Sequence, residues 1–160
     1  MPAQGIPQIA LQPGAAEGMR VAVISAQWNA EITDQLHREA IKAAEQAGAK
    51  VEEWRVAGAL ELPVVVARAC EHFDAVVATG CVIEGETEHF RVVCDAVTYG
   101  LTRAGMDASV PVGNGVLTVQ NHEQAVGRAG FDGAAENKGA DSATAAIHAA
   151  LVLRQITAVS

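Results

Sequence analysis

Aromatic side chains are scarce in this chain: three Phe, two Trp and one Tyr among 160 residues. Half of the residues are nonetheless apolar, so the core has to be built from Val, Ala, Leu and Ile, which favours an α/β arrangement over an aromatic-rich β-sandwich. Cysteine is equally sparse. Cys70, Cys81 and Cys94 form no Cys-x-x-Cys pair and leave one thiol over in any disulfide scheme, so they read as small buried hydrophobes of a reducing compartment. Positive charge is short as well, with 11 Lys and Arg against 19 Asp and Glu and a formal charge of −8. No Lys/Arg cluster exists to displace counterions from a phosphate backbone, which excludes a nucleic-acid partner; an anionic ligand would need a local site. No apolar run reaches the length of a membrane span, and the N-terminus lacks the basic segment and apolar run of a signal peptide, so the expected compartment is the cytoplasm. Also missing are a Ser nucleophile elbow, a Walker loop, a dinucleotide-binding glycine fingerprint and a metal-spaced His/Cys set. A site here is expected to work with no metal and no cofactor.

At this length the chain is expected to form one domain with a full hydrophobic core. Residues 1–18, with Pro2, Pro7 and Pro13 and no helical period, read as a tail; residues 19–160 read as the domain. A first strand spans 20–25, and Trp28 follows in the loop at its end. Ile32, Leu36, Ala40, Ile41 and Ala44 then recur at helical spacing up to Gly48, a fitting stop. On that helix Asp34, His37, Arg38 and Lys42 fall on the exposed face, which puts His37 in solvent. A half-exposed strand over 51–56 leads through Gly58–Pro63 into a short helix ending near His72, with Pro63 suited to the first turn. Residues 74–83 read as a strand buried on both faces. The following helix carries Phe90, Val93, Val97, Leu101 and Ala104 on one stripe and stops at Gly105. A fourth strand over 110–119 is broken by Pro111, Gly113 and Gly115, as at an edge or bulge. A short helix over 121–129 capped by Asn121, a polar loop and a long helix over 138–157 complete the chain. That last helix is expected to bury Ala143, Ile147, Ala150, Leu151 and Ile156, with His148 structural among small residues.

This alternation predicts a three-layer α/β/α sandwich around a four-stranded, mainly parallel sheet with right-handed crossovers. Ligands in such sheets bind beyond the carboxyl ends of the strands. The rule draws Trp28, Ala59–Glu61, Cys81–His89 and Asn114 towards one crevice. Within it, Thr79–Phe90 (TGCVIEGETEHF) is the most informative stretch. A helix beginning at Thr87 would aim unpaired N–H groups and a positive dipole end at a phosphate or other anion, and His89 two residues on is a candidate acid or base. On spacing alone the plainer reading is a strand–loop–helix turn with Thr87 as cap and His89 solvated.

Six dispersed pieces carry a resemblance: Ser25–Asn29 (SAQWN), Gly58–Pro63 (GALELP), Gly80–Phe90 (GCVIEGETEHF), Gly113–Thr118 (GNGVLT), Gln124–Arg128 (QAVGR) and Asn137–Gly139 (NKG). In order and spacing the chain resembles the 6,7-dimethyl-8-ribityllumazine synthase family over residues 19–157. The resemblance implies a flavodoxin-like fold and the condensation of 5-amino-6-(D-ribitylamino)uracil with 3,4-dihydroxy-2-butanone 4-phosphate, releasing phosphate and water, the penultimate step of riboflavin biosynthesis. It implies that Trp28 stacks on the pyrimidine, that Ala59, Leu60 and Glu61 cradle the ribityl chain, and that Cys81, Val82 and Ile83 meet the uracil through backbone groups. Gly85, Glu86 and Thr87 would hold the phosphate and His89 would shuttle protons. Asn114 and Lys138, both on the ribitylaminouracil with Lys138 contacting the uracil, and Arg128, on the phosphate, would come from a neighbouring subunit. Without the family, Trp28 is open to reading as a core anchor, Glu61 as a helix-start carboxylate, and Lys138 as a helix-start cation that the dipole disfavours.

The resemblance further implies a homo-oligomer, expected here as a pentamer with sites between adjacent subunits; decamers, icosahedral 60-subunit shells and an association with riboflavin synthase also occur in that family's repertoire. Residues 88–105 would line the fivefold axis, and tail residues 5–12 would add a strand to a neighbouring sheet. Two positions depart from the family pattern. Glu84 stands where a basic residue is usual and Arg91 where an acidic one is, which suggests an exchanged ion pair. A flavin- or lumazine-binding or shell-forming paralogue with weak catalysis is the alternative reading, and Glu84 is its support.

Overall fold

The structure is a computed structural model that describes Gly5 and residues 7–159. Residues 1–4, Ser160 and Ile6, one of the tail residues 5–12 expected to add a strand to a neighbour, lie outside the described residues; Gly5 and residues 7–12 form no strand within the single chain. Four strands, β1 (Arg20–Ala26), β2 (Lys50–Val56), β3 (Ala75–Ile83) and β4 (Val112–Val119), form one sheet in the order β2-β1-β3-β4, with every pair parallel. Between and after them come α1 (Ala30–Gln46), a 3₁₀ turn (Ala59–Glu61) leading into α2 (Leu62–Cys70), α3 (His89–Ala108), α4 (His122–Val126) and α5 (Lys138–Thr157).

Alternation along the two central strands builds the layers, because successive side chains leave opposite faces of a sheet. Val21, Val23, Ala75 and Val77 pack with Ala40 and Ala44 of α1 and Ala143, Ala146 and Ile147 of α5. Their neighbours Ala22, Ile24, Val76 and Ala78 pack with Leu62 and Val66 of α2 and Val93, Val97 and Leu101 of α3. This is the expected α/β/α sandwich. The expected stop at Gly48 is also met: α1 ends at Gln46 and Gly48 takes φ 93°. Residues 11–18 of the tail, with Met19 at the start of the domain, are tied to their own chain. Ala16 and Met19 are fully buried, and the Ala16 N–H donates to the Ala47 carbonyl at 2.8 Å.

Several expectations are corrected. His37 is buried: its Nδ1 lies 2.5 Å from the Ser25 hydroxyl, which lies 2.6 Å from that of Thr79, and its Nε2 lies 3.0 Å from Glu53 Oε1. The buried side of α1 is polar at this turn because it crosses hydroxyls on β1 and β3. β4 is an edge strand but is not broken. Its glycines admit α5, since a Cβ on Gly115 would stand 2.6 Å from Ser142 Oγ and one on Gly113 would collide with the Ser142 carbonyl. α3 runs past Gly105 to Ala108 and ends on Ser109 in the left-handed region at φ 53°; Gly105 is there because a Cβ would sit 2.9 Å from the Val110 carbonyl. Phe90 is only half-buried, and α4 ends at Val126 instead of reaching Ala129. Ile156 is exposed, because Arg154 is already level with Asp74 at the N-terminal edge of β3 (3.9 Å) and the last turn overruns the sheet. His148 also lies on an exposed face of α5.

Candidate active site

The site is read from the carboxyl ends of the strands. β3 pairs with β1 only as far as Ser25↔Thr79, yet continues against β4 to Ile83↔Val119. Residues 80–83 therefore overrun β1, leaving their β1-facing backbone without a strand partner; the Cys81 carbonyl is met there by Asn29 Nδ2 at 2.9 Å. Asn29 holds the left-handed region at φ 58° as it opens α1, and this bend turns the preceding residue outward. Trp28 is 73% exposed, so its alternative as a core anchor fails. Its N–H donates to the Ala57 carbonyl at 3.1 Å, and that of Gln27 to the Val56 carbonyl at 2.8 Å, fastening this loop to the end of β2.

At that same end the 3₁₀ turn buries Ala59 and leaves Leu60 and Glu61 exposed. Glu61 precedes α2 but makes no capping hydrogen bond through its side chain, so its carboxylate is free for another donor. Trp28, the turn at Ala59–Glu61 and the free rim of β3 thus lie at one end of the sheet, where a recess between them is the candidate site. Burial pushes the Cys81 thiol up to about 11, which keeps it protonated near neutrality and removes it as a nucleophile.

Beyond β3, Gly85–Thr87 are exposed and α3 begins at His89, one residue later than a Thr87 cap would require. The Thr87 hydroxyl instead accepts from the His89 N–H at 3.3 Å. The first turn of this 20-residue helix carries no acidic side chain, so its dipole end is open to an anion. The His89 ring has no hydrogen-bonding partner among the described residues. Glu84 and Arg91 form no ion pair within the chain; Arg91 Nε instead lies 3.7 Å from Glu88 Oε2.

Three expected residues are not brought into this recess by a single chain. Asn114 is in register with Ala78, in the lower half of β4. It lies on a separate groove with Leu101, Gly105 and His148, apart from the strand-end group. Arg128 and Lys138 lie on the other side of the sheet, after α4, and no hydrogen bond or ion pair joins either to residues 84–89 among the described residues. They are brought to each other instead. The Lys138 N–H donates to the Arg128 carbonyl at 2.9 Å beside an Ala129↔Asn137 bridge, and Asn137 caps α5 by accepting from the Ala140 N–H at 3.0 Å. Sequence reasoning missed Glu136 between them, 3.3 Å from Arg128 Nε and 3.5 Å from Lys138 Nζ. It is the reason a lysine is tolerated at a helix start. Sequence reasoning also missed Asp141, whose carboxyl is pushed above its ordinary value chiefly by burial, against the opposing effect of Lys138.

The family model described as 6,7-dimethyl-8-ribityllumazine synthase matches residues 18–154. The 6,7-dimethyl-8-ribityllumazine synthase of Corynebacterium urealyticum is 81% identical over 159 residues, covering 99% of each chain. That of Corynebacterium jeikeium is 73% identical over 152 residues, covering 95% of each, and that of Mycobacterium avium is 47% identical over 160 residues, covering 99% of each.

Proposed function

This chain belongs to the 6,7-dimethyl-8-ribityllumazine synthase family, and on that premise we propose that it condenses 5-amino-6-(D-ribitylamino)uracil with 3,4-dihydroxy-2-butanone 4-phosphate to 6,7-dimethyl-8-ribityllumazine, releasing phosphate and water. The observation that carries the site is the overrun of β3. Past the Cys81 carbonyl that Asn29 meets, it offers backbone without a strand partner to a flat, hydrogen-bonding heterocycle, with the exposed Trp28 after β1 and the exposed His89 opening α3 after β3. In this reading Trp28 stacks on the uracil, Cys81–Ile83 meet its edge, and Ala59, Leu60 and Glu61 take the ribityl hydroxyls. Gly85, Glu86, Thr87 and the open start of α3 hold the phosphate.

The substrates already carry the reacting amine and ketone, so the protein supplies position and protons and no nucleophile. Holding both partners together is worth up to about 7–11 kcal/mol in favourable cases. His89, exposed beside the anion site, moves protons during Schiff-base formation, phosphate loss and ring closure. Arg128, Lys138 and Asn114 complete the site from an adjacent copy, which accounts for their distance from the recess in one chain. Support for such an assembly, a pentamer in this reading, comes from α3: Val92, Tyr99 and Met106 are exposed on the helix face opposite its buried stripe, an apolar surface that a second copy would cover.

The test is to mix the protein with both substrates and follow lumazine fluorescence and phosphate release together. Both should appear at equal rates above the uncatalysed reaction; a bound pocket with no phosphate release would make this a binding protein. His89→Ala should lower kcat by about 10²- to 10⁴-fold while remaining faster than the uncatalysed reaction. Complete loss with intact substrate binding would contradict the division between positioning and proton transfer.

A further inference from the structure

The Glu136 side chain is 11% exposed, and its Oε1 is wholly buried and accepts no hydrogen bond among the described residues. Burying a carboxylate is costly unless opposite charge is held against it. Here the opposite charges are two: Arg128 Nε at 3.3 Å from Oε2 and Lys138 Nζ at 3.5 Å from Oε1. The backbone of Glu136 is itself pinned on both sides, its N–H donating to the Gly127 carbonyl and its carbonyl accepting from the Gly130 N–H, each at 3.1 Å. Arg128 is pinned a second time, Nη1 donating to the Gln124 carbonyl at 2.9 Å. With Nε and Nη1 so engaged, the outer guanidinium nitrogen Nη2 keeps its hydrogens for an incoming anion. Glu136 thus ties one rigid backbone position to both cations. Arg128 and Lys138 would otherwise repel each other and sample many rotamers.

We propose that Glu136 is a positioning residue of the condensation, holding Arg128 and Lys138 as a preorganised cationic pair in which Arg128 receives the phosphate of the adjacent site's phosphorylated substrate and Lys138 faces that site's uracil. This rests on the reading of Arg128 and Lys138 given above. Its physical content is that the ordering cost of two long side chains is met on folding, so it is not charged to substrate binding.

Glu136→Gln keeps the shape and removes the charge. The expected result is a rise of about fivefold to tenfold in KM for the butanone phosphate, from the freed Arg128 side chain, with kcat changed by less than about twofold. Glu136→Asp should recover part of the loss. In an Arg128→Ala background the same substitution should have much less effect on that KM, because the two act as one unit. An unchanged or lowered KM in E136Q, an equal effect in the Arg128→Ala background, or a loss confined to kcat would each overturn the proposal. If Arg128→Ala alone leaves the butanone phosphate KM unchanged, the phosphate role of Arg128 falls and this inference falls with it. That outcome is distinct from a failure of Glu136 beside a working Arg128. Should E136Q fail to assemble, Glu136→Asp carries the test, with an expected twofold to threefold rise in the same KM, and no rise overturns the proposal.

Discussion

His37 ties three strands to one helix: Ser25 of β1 and Thr79 of β3 lie on its Nδ1 side, and Glu53 of β2 lies at Nε2. It superficially matches a Ser–His–carboxylate relay, but Ser25 is wholly buried and reaches no substrate, so the chain of hydrogen bonds serves packing. Replacing His37 by Ala removes a buried ring and strands a hydroxyl, which should cost about 2–4 kcal/mol of stability. Denaturant unfolding measures this, and a loss under about 0.5 kcal/mol would return His37 to the surface role that its charged helical neighbours suggest. The sequence pattern misled at this residue for a definite reason. Helical spacing put His37 beside Asp34, Arg38 and Lys42, whereas its partners come from strands 12 and 16 positions away. Trp28 and Glu61 were legible because they sit in loops whose ends the strand order alone predicts. Glu136 was not, since only the closure of residues 127–138 into a loop sets it between two cations.

At the scale of elements, the sandwich was readable from apolar runs and helical stripes, including the cap at Asn121, which accepts from the Gln124 N–H at 2.9 Å. What failed was the meaning of glycine. Gly105, Gly113 and Gly115 read as interruptions, yet each sits inside a continuous helix or strand where another backbone comes close. Local propensity carries no information about such approaches, because they depend on elements far away in the chain. Gly115→Ala would drive a methyl group against Ser142 Oγ and Thr79 Cγ2, at 2.6 and 2.9 Å. The expected loss is about 1–3 kcal/mol, part of which Ser142→Ala should restore by removing one of the two obstructing atoms. Thermal unfolding of the single and double variants checks this. A neutral Gly115→Ala would mean that α5 and β4 are not in close contact.

For the whole molecule, the spread of the site is the main finding. The strand-end group of Trp28, Ala59–Glu61 and the end of β3 lies apart from Arg128 and Lys138, which follow α4, and from Asn114 on the edge strand. Single-chain geometry explains why strand-end reasoning united the first group and wrongly added Asn114. An acidic molecule of net charge −8 has to concentrate the few cations that meet a phosphate, and the proposed junction between copies would do so without a basic surface. Subunit mixing examines this most directly. Copies carrying Trp28→Ala and His89→Ala are co-assembled with copies carrying Arg128→Ala and Lys138→Ala, and lumazine formation is compared with that of each parent assembly. A site shared between adjacent copies predicts that hybrids regain activity well above both parents, up to about a quarter of the wild-type value for random assortment around a closed ring. Hybrids no more active than the mean of their parents would contradict the shared site.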